Sequence, residues 1–116
     1  MSALFDIRNP TPASRDPDVR LLLGISSLHY LYRKFAEALN ILSVAEVRAP
    51  HDRAVLEFKI VLLIELHEYA AALEAVEAFE CTVPDTPVEI ARMRRMACAG
   101  AARERGTSAM IRSVVR

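Results

Sequence analysis

The chain has few of the residues that interrupt helices and few that carry redox or metal chemistry. Its 116 residues include three glycines, two cysteines and no tryptophan. With so little glycine, tight β-hairpin turns have little to be built from, because they require residues at positive φ. Cys81 and Cys98 have neither CxxC nor metal-ligand spacing, and two such thiols are typical of a reducing cytosol. These scarcities favour an all-α protein in the cytoplasm.

Long apolar runs are also missing. The most apolar stretch, residues 55–66, contains three charged residues and is shorter than the roughly 20 residues that a membrane-spanning helix needs. Residues 1–15 lack the basic start and the apolar core of a secretory signal. We therefore expect a soluble, cytoplasmic protein with no transmembrane segment.

The chain is rich in hydrophobic residues and in residues that favour helices. Hydrophobic residues make up 53% of it and charged residues 26%. Ala, Leu, Glu and Arg, all good helix formers, dominate its middle and C-terminal parts. This composition excludes a disordered polymer and fits one compact helical domain.

The formal net charge is zero, but the charges are unevenly distributed. Residues 51–89 carry nine acids against two bases, and residues 90–116 carry seven arginines against one glutamate. Such asymmetry either steers a charged partner or reflects two solvated faces of one bundle. The second interpretation is favoured, because helix surfaces are usually charged.

Local start and stop signals predict six helices after an extended arm. Prolines at positions 10 and 12 prevent a continuous helix, so residues 1–15 are predicted to form an extended N-terminal arm. The segments Asp16-Pro17-Asp18 and Thr86-Pro87-Val88-Glu89 each combine an N-capping side chain with a proline in the first turn. Gly106 is predicted to end the fifth helix. The predicted helices cover residues 19–34, 35–48, 52–66, 69–81 and 87–105, with a short sixth helix after Gly106.

The third predicted helix is unusually apolar. Residues 55–66 leave hardly any polar face, and a helix that is apolar nearly all round is buried nearly all round. In a small domain such a helix packs against neighbours on both sides or against another chain. Its excess of apolar surface is the main reason, at the level of the sequence, to expect a partner.

One pattern organises residues 20–84: a unit of 34 residues that occurs twice. A fixed period of this size indicates stacked helix pairs. Alanines that recur at this spacing are predicted to lie where two helices approach closely, because a larger side chain would push the helices apart. The equivalent pairs are Phe35 and Tyr69, Ala38 and Ala72, Leu42 and Val76, Ala45 and Phe79, and Pro50 and Pro84.

These residues resemble the tetratricopeptide repeat, whose 34-residue unit is a pair of antiparallel helices. With units starting at residues 19 and 53, the family's small residue of the second helix corresponds to Ala38 and Ala72, and its small residue of the first helix to Ser26. Ile60 departs from that pattern in the second unit, and Gly106 replaces the alanine of a third. The resemblance implies that antiparallel helix pairs stack as a short tetratricopeptide-like superhelix over residues 16–116. Its units would be 19–52, 53–86 and a truncated or capping unit 87–116.

Small free-standing proteins of this kind resemble the cytoplasmic chaperones of bacterial type III secretion systems. The chain is most similar to the Y-type in its size and its leucine-rich opening, Leu21-Leu22-Leu23-Gly24. The resemblance implies a partner protein, because such a chaperone masks a helical or extended apolar segment of a client until export.

The tetratricopeptide resemblance also implies where the client binds. In that family the first helix of each unit lines a concave groove, which suits an amphipathic helix or an extended segment. The N-terminal arm or the last helix could instead fill this groove internally. The groove positions carried over from the family are Leu23, Ser27, Tyr30 and Leu31 in the first unit, Ala54, Glu57, Val61, Ile64 and Glu65 in the second, and Ala91 and Arg95 in the third.

Other functions have less support in the sequence. We expect no enzyme, metal or cofactor, because Glu65-Leu66-His67-Glu68 is not an HExxH motif and no phosphate-binding glycine loop or nucleophile motif occurs. Nucleic-acid binding through the C-terminal arginines is disfavoured by the zero net charge and by the lack of aromatic residues among them. The main alternative to a chaperone is a structural adaptor or a self-associating helical scaffold, which would make the protein a homo-oligomer.

Overall fold

The computed structural model describes residues 16–83 and 87–115, with side chains through Thr107. These residues form five helices and no strand, so the predicted all-α fold is confirmed for them. The predicted arm at residues 1–15, the closing Pro84 and the capping Thr86 lie outside the described residues. The helices are α1 (Pro17–Leu31), α2 (Phe35–Arg48), α3 (Arg53–Glu65), α4 (Tyr69–Thr82) and α5 (Val88–Val115).

Two of the helices begin at aspartates whose side chains cap them. The Asp16 carboxylate accepts a hydrogen bond from the backbone N–H of Asp18 at 2.9 Å, and proline occupies the start of α1. The Asp52 carboxylate accepts hydrogen bonds from the N–H groups of Ala54 and Val55 at 2.9 and 3.2 Å. These bonds satisfy donors that have no partner inside the helix, which confirms both predicted starts.

The 34-residue period recurs in the backbone itself. α1 and α3 each end in a turn whose central residue has positive φ, 60° at Arg33 and 61° at His67. After each turn a backbone N–H donates to a carbonyl five residues earlier, from Lys34 to His29 and from Glu68 to Leu63, at 2.9 and 2.8 Å. This arrangement is a Schellman motif, which closes the end of a helix. The next helices, α2 and α4, start and end 34 residues apart as well.

The helices pack in chain order, and α3 also contacts α5. α3 lies between two clusters of buried side chains, one shared with α1 and α2 and the other with α4 and α5. Its own apolar residues therefore face in two directions. The first cluster contains Val19, Ala38, Leu42, Ala45, Val55, Phe58 and Leu62, and the second contains Leu56, Ile60, Leu63, Tyr69, Ala72, Ala75, Val76, Phe79, Ile90 and Ala97.

The recurring alanines are buried, and the predicted close contact between helices is seen at Ala38. Ala38 and Ala72 are completely buried. The Ser26 hydroxyl of α1 donates a hydrogen bond to the Ala38 carbonyl of α2 at 2.7 Å. Small residues on both helices allow this approach.

The predicted break at Gly106 is absent, and the described residues contain one long helix where two were expected. α5 continues through Gly106 to Val115, and no glycine among the described residues has positive φ. A glycine ends a helix when it adopts the left-handed conformation. Here it is followed by no proline, and most of its neighbours in sequence are residues that a helix accepts readily, so the helix continues at a cost of about 1 kcal/mol relative to alanine.

Candidate functional site

One residue of the predicted groove, Tyr30, packs against two aromatic side chains of the neighbouring helices. Tyr30 of α1 contacts Phe35 of α2 and Phe58 of α3, with ring centroids 5.5 and 5.7 Å apart. Its phenol lies close enough to Glu65 of α3 to be influenced by that charge. Burial, and then the Glu65 carboxylate, raise the pKa of Tyr30. α1 and α3 are therefore neighbours on this side of the molecule.

Glu57 is the one charged side chain of the predicted groove that is buried. It is only 6% exposed, and its carboxylate accepts a hydrogen bond from Arg53 Nε at 2.9 Å, one helical turn away. Burial raises the pKa of Glu57 above its ordinary value of 4.5, the Arg53 guanidinium opposes this rise, and the negative charge of Glu89 on α5 adds to it. A buried carboxylate with a single cation beside it is poorly compensated.

The remaining groove positions of α1 and α3 range from buried to exposed. Ser27 is buried, and its hydroxyl donates to the Leu23 carbonyl at 2.7 Å, so it presents no free polar group. Leu31 and Glu65 are exposed. The others are partly buried: Leu23 and Val61 pack against the first cluster, Ile64 packs against the second, and Ala54 is half-buried.

The two predicted groove residues of α5 are placed differently. Ala91 and Arg95 are exposed. By helical spacing they lie on the far side of α5 from its buried residues, Ile90 and Ala97. The α5 residue that acts electrostatically on the groove is Glu89, for which the sequence indicates only a role in helix capping.

Most of the apolar surface of α3 is buried by other helices of this chain. Seven of its 13 residues are buried, because the two clusters cover it on both sides. Packing against neighbours on both sides, the first of the two alternatives predicted for α3, is therefore confirmed for most of its apolar residues, while Val61 and Ile64 stay partly buried. A more exposed apolar surface lies on α1.

We call this surface the α1 outer face; it consists of Leu21, Gly24, Ile25, Leu28 and Tyr32. Leu21 is 63% exposed, Leu28 52% and Tyr32 72%. A signal for it exists in the sequence, since residues 21–32 contain no Asp, Glu, Lys or Arg. The helical spacing of these apolar residues favours a core position instead, which is why sequence reasoning misses the surface.

The part of the chain that the structure describes gives no support to a metal site or to a membrane-spanning helix. It contains no group of three or more His, Cys, Asp or Glu side chains arranged to hold a metal ion. None of its helices combines the length and the apolar character needed to cross a membrane. Arg92, Arg95 and Arg103 of α5 are exposed, while Arg94 forms an ion pair with Glu80 of α4.

The geometry defines a class of molecule: an all-α protein built on two repeated helix pairs and a long final helix. Comparison of the chain with protein-family models, with curated proteins and with solved structures finds no match. The function must therefore be argued from the residues of this chain.

Proposed function

We propose that the protein is a tetratricopeptide-like binding module that holds an apolar segment of another polypeptide against α1 and α3. The observation that carries the proposal is the repeated backbone, in which the turns at Arg33 and His67 and the helices after them recur at 34 residues. Such a repeat places the first helices of successive units side by side. The contact between Tyr30 and Phe58 is consistent with that arrangement.

The chemistry of this surface favours an apolar client segment with a basic residue. Leu23, Val61 and Ile64 are only partly buried, so they retain apolar area for a client to cover. Glu65 is exposed beside them, and a carboxylate at the rim of an apolar surface selects for a positive charge. An amphipathic helix or an extended strand can supply both.

In its narrower form the proposal is a small cytoplasmic chaperone that masks an aggregation-prone client, of the kind found in type III secretion. Support for this form is the resemblance in size and in the leucine-rich start of α1. The mechanism would be burial of client surface until export or assembly, because exposed apolar segments otherwise aggregate.

A displayed library of random peptides tests the proposal even though the client is unidentified. We expect the full chain to enrich apolar peptides that carry Lys or Arg. A selected peptide should bind the Glu65→Arg variant at least tenfold more weakly, because an attraction becomes a repulsion.

The matched control is Glu77→Arg, which reverses another exposed negative charge, on α4. Binding should be unchanged in this variant. Enriched peptides that bind all three proteins equally, or a selection that enriches nothing, would defeat the proposal.

A further inference from the structure

The α1 outer face corresponds, in the 34-residue repeat, to the surface through which the second unit packs on the first. Adding 34 to Leu21, Gly24 and Leu28 gives positions 55, 58 and 62. Those positions are Val55, Phe58 and Leu62, which lie in the cluster shared with α1 and α2. The first unit therefore carries a unit-docking surface of its own.

No described residue covers that surface. Leu21 and Leu28 are exposed, and a Cβ at Gly24 would meet no atom of the described residues within 4 Å beyond its own helix. At the equivalent position of the second unit, Phe58 fills the contact with Tyr30. Gly24 has no side chain at this position, so the backbone of α1 is open there.

We propose that the α1 outer face binds the same face of a second copy, so that two chains form a dimer about a two-fold axis near Gly24 and Ile25. The side chains at 21, 25, 28 and 32 have the alternating spacing of four and three residues with which two helices interlock. A two-fold contact buries the same patch on both chains. The absence of a side chain at Gly24 leaves room for an apolar side chain of the partner and lets the two helices approach closely.

The alternative contact between copies, head to tail, would place the α1 outer face on the far end of the stack. There α5 presents the exposed side chains of Arg92, Arg95 and Arg103. Burying these guanidinium groups against an uncharged face would remove their hydration and provide no acceptors. Such a contact would also repeat without closure and yield filaments.

Charge at the ends of α1 favours an antiparallel pair. Asp16 and Asp18 lie at its start, bridged to Arg48 at 2.7 and 3.0 Å, but the side chain of Asp18 remains 64% exposed. Arg33 and Lys34 follow its last turn and are exposed. A parallel pair would bring the two basic ends together, whereas an antiparallel pair keeps them apart and aligns the helix dipoles favourably.

The mass of the full chain in solution, measured by sedimentation over a range of concentrations, tests the dimer. We expect the wild type to be dimeric and Leu28→Glu to be monomeric with unchanged circular dichroism, because Leu28 is exposed in the single chain. The control is Val44→Glu on α2, where the valine is 58% exposed outside the face; this variant should remain dimeric. A wild type that stays monomeric at every concentration overturns the proposal.

The Gly24→Ala variant should weaken the proposed interface without destabilising the fold of the single chain. The added methyl group meets open space in one chain, so the melting temperature of the monomer should stay the same or rise. At the interface it occupies the closest approach, so the dissociation constant of the dimer should rise at least tenfold. Gly106→Ala, which also faces open space, should leave that constant unchanged. Equal dissociation constants for wild type and Gly24→Ala would contradict the proposed axis.

Cross-linking tests the orientation in a chain whose Cys81 and Cys98 are replaced by serine. Ile25→Cys should form a disulfide between copies, because it lies near the axis. Leu21→Cys alone should not, whereas a mixture of Leu21→Cys and Leu28→Cys should. Efficient cross-linking of Leu21→Cys with itself would show a parallel pair and overturn the two-fold antiparallel arrangement. None of these measurements includes a client, so their outcome is independent of the proposed groove.

Discussion

Gly100 of α5 makes room for the ring of Tyr69 at the start of α4. A Cβ at this position would overlap that ring, so the ring occupies space that only glycine leaves free. A glycine inside a helix costs about 1 kcal/mol relative to alanine. Close packing of Tyr69, which is only 8% exposed, offsets this cost.

Replacing Gly100 should therefore have the opposite effect from replacing Gly106. Gly100→Ala should lower the free energy of unfolding by about 1–2 kcal/mol, because overpacking outweighs the gain in helix propensity. Gly106→Ala, where a Cβ meets open space, should raise it by up to about 1 kcal/mol. Urea denaturation followed by circular dichroism measures both. Equal stability of the two variants would show that the contact with Tyr69 is not close.

Glu57 should make stability depend on pH in a defined direction. Burial raises its pKa in the folded protein above 4.5, so the folded chain holds this proton more tightly than the unfolded chain does. Its contribution to the free energy of unfolding is therefore fully present below pH 4.5 and is lost as pH rises through the folded pKa.

Glu57→Gln removes that dependence. From pH 4.5 upward, the free energy of unfolding of the variant should rise relative to the wild type and then stay level above the folded pKa. In Arg53→Gln the loss of stability with rising pH should extend to higher pH than in the wild type, because the guanidinium that favours the ionised form of Glu57 is gone. Urea titrations at a series of pH values measure these differences. A difference that is constant across the series would contradict the raised pKa.

At the scale of the helix, the starts that depend on a capping side chain were predictable from the sequence. The ends that depend on backbone conformation were not. The capping aspartates at 16 and 52 are visible in the sequence and cap α1 and α3 in the structure. The sequence predicts the end of α1 near residue 34, but the helix ends at Leu31. Arg33 adopts the left-handed conformation there, and an arginine carries no sign of this, since the conformation usually belongs to glycine.

The length of α5 shows the converse error. A glycine such as Gly106 is typical of the end of a helix, yet the backbone remains helical there. A glycine permits the left-handed turn without requiring it. The turn forms where the residues after the glycine fold back as a second helix of a pair. The structure describes one continuous helix in the third unit, and no such pair.

At the scale of the molecule, α3 is the element on which the other helices converge. It packs against α2, α4 and α5, and Phe58 reaches Tyr30 of α1. In a stack of units, stability is approximately the sum of the units and of the contacts between neighbours. Side chains of α3 that join two units should therefore control whether the whole chain unfolds together.

Phe58→Ala should uncouple the first helix pair from the rest. The cavity should cost about 3–5 kcal/mol, and hydrogen exchange should quicken more in α1 and α2 than in α4 and α5. Ile90→Ala is the matched variant at the other end, because Ile90 is fully buried in the second cluster; its effect should be larger in α4 and α5. An equal loss of protection in all five described helices after either change would show a single cooperative unit instead.

The sequence by itself determined the helical class, the 34-residue repeat and the buried alanines, because composition, periodicity and side-chain size act over short distances along the chain. Only the tertiary structure decided which apolar surface is covered by other residues. α3 has neighbours on both sides, whereas α1 has them on one side among the described residues. Burial depends on what packs from elsewhere in space, and no local pattern contains that information.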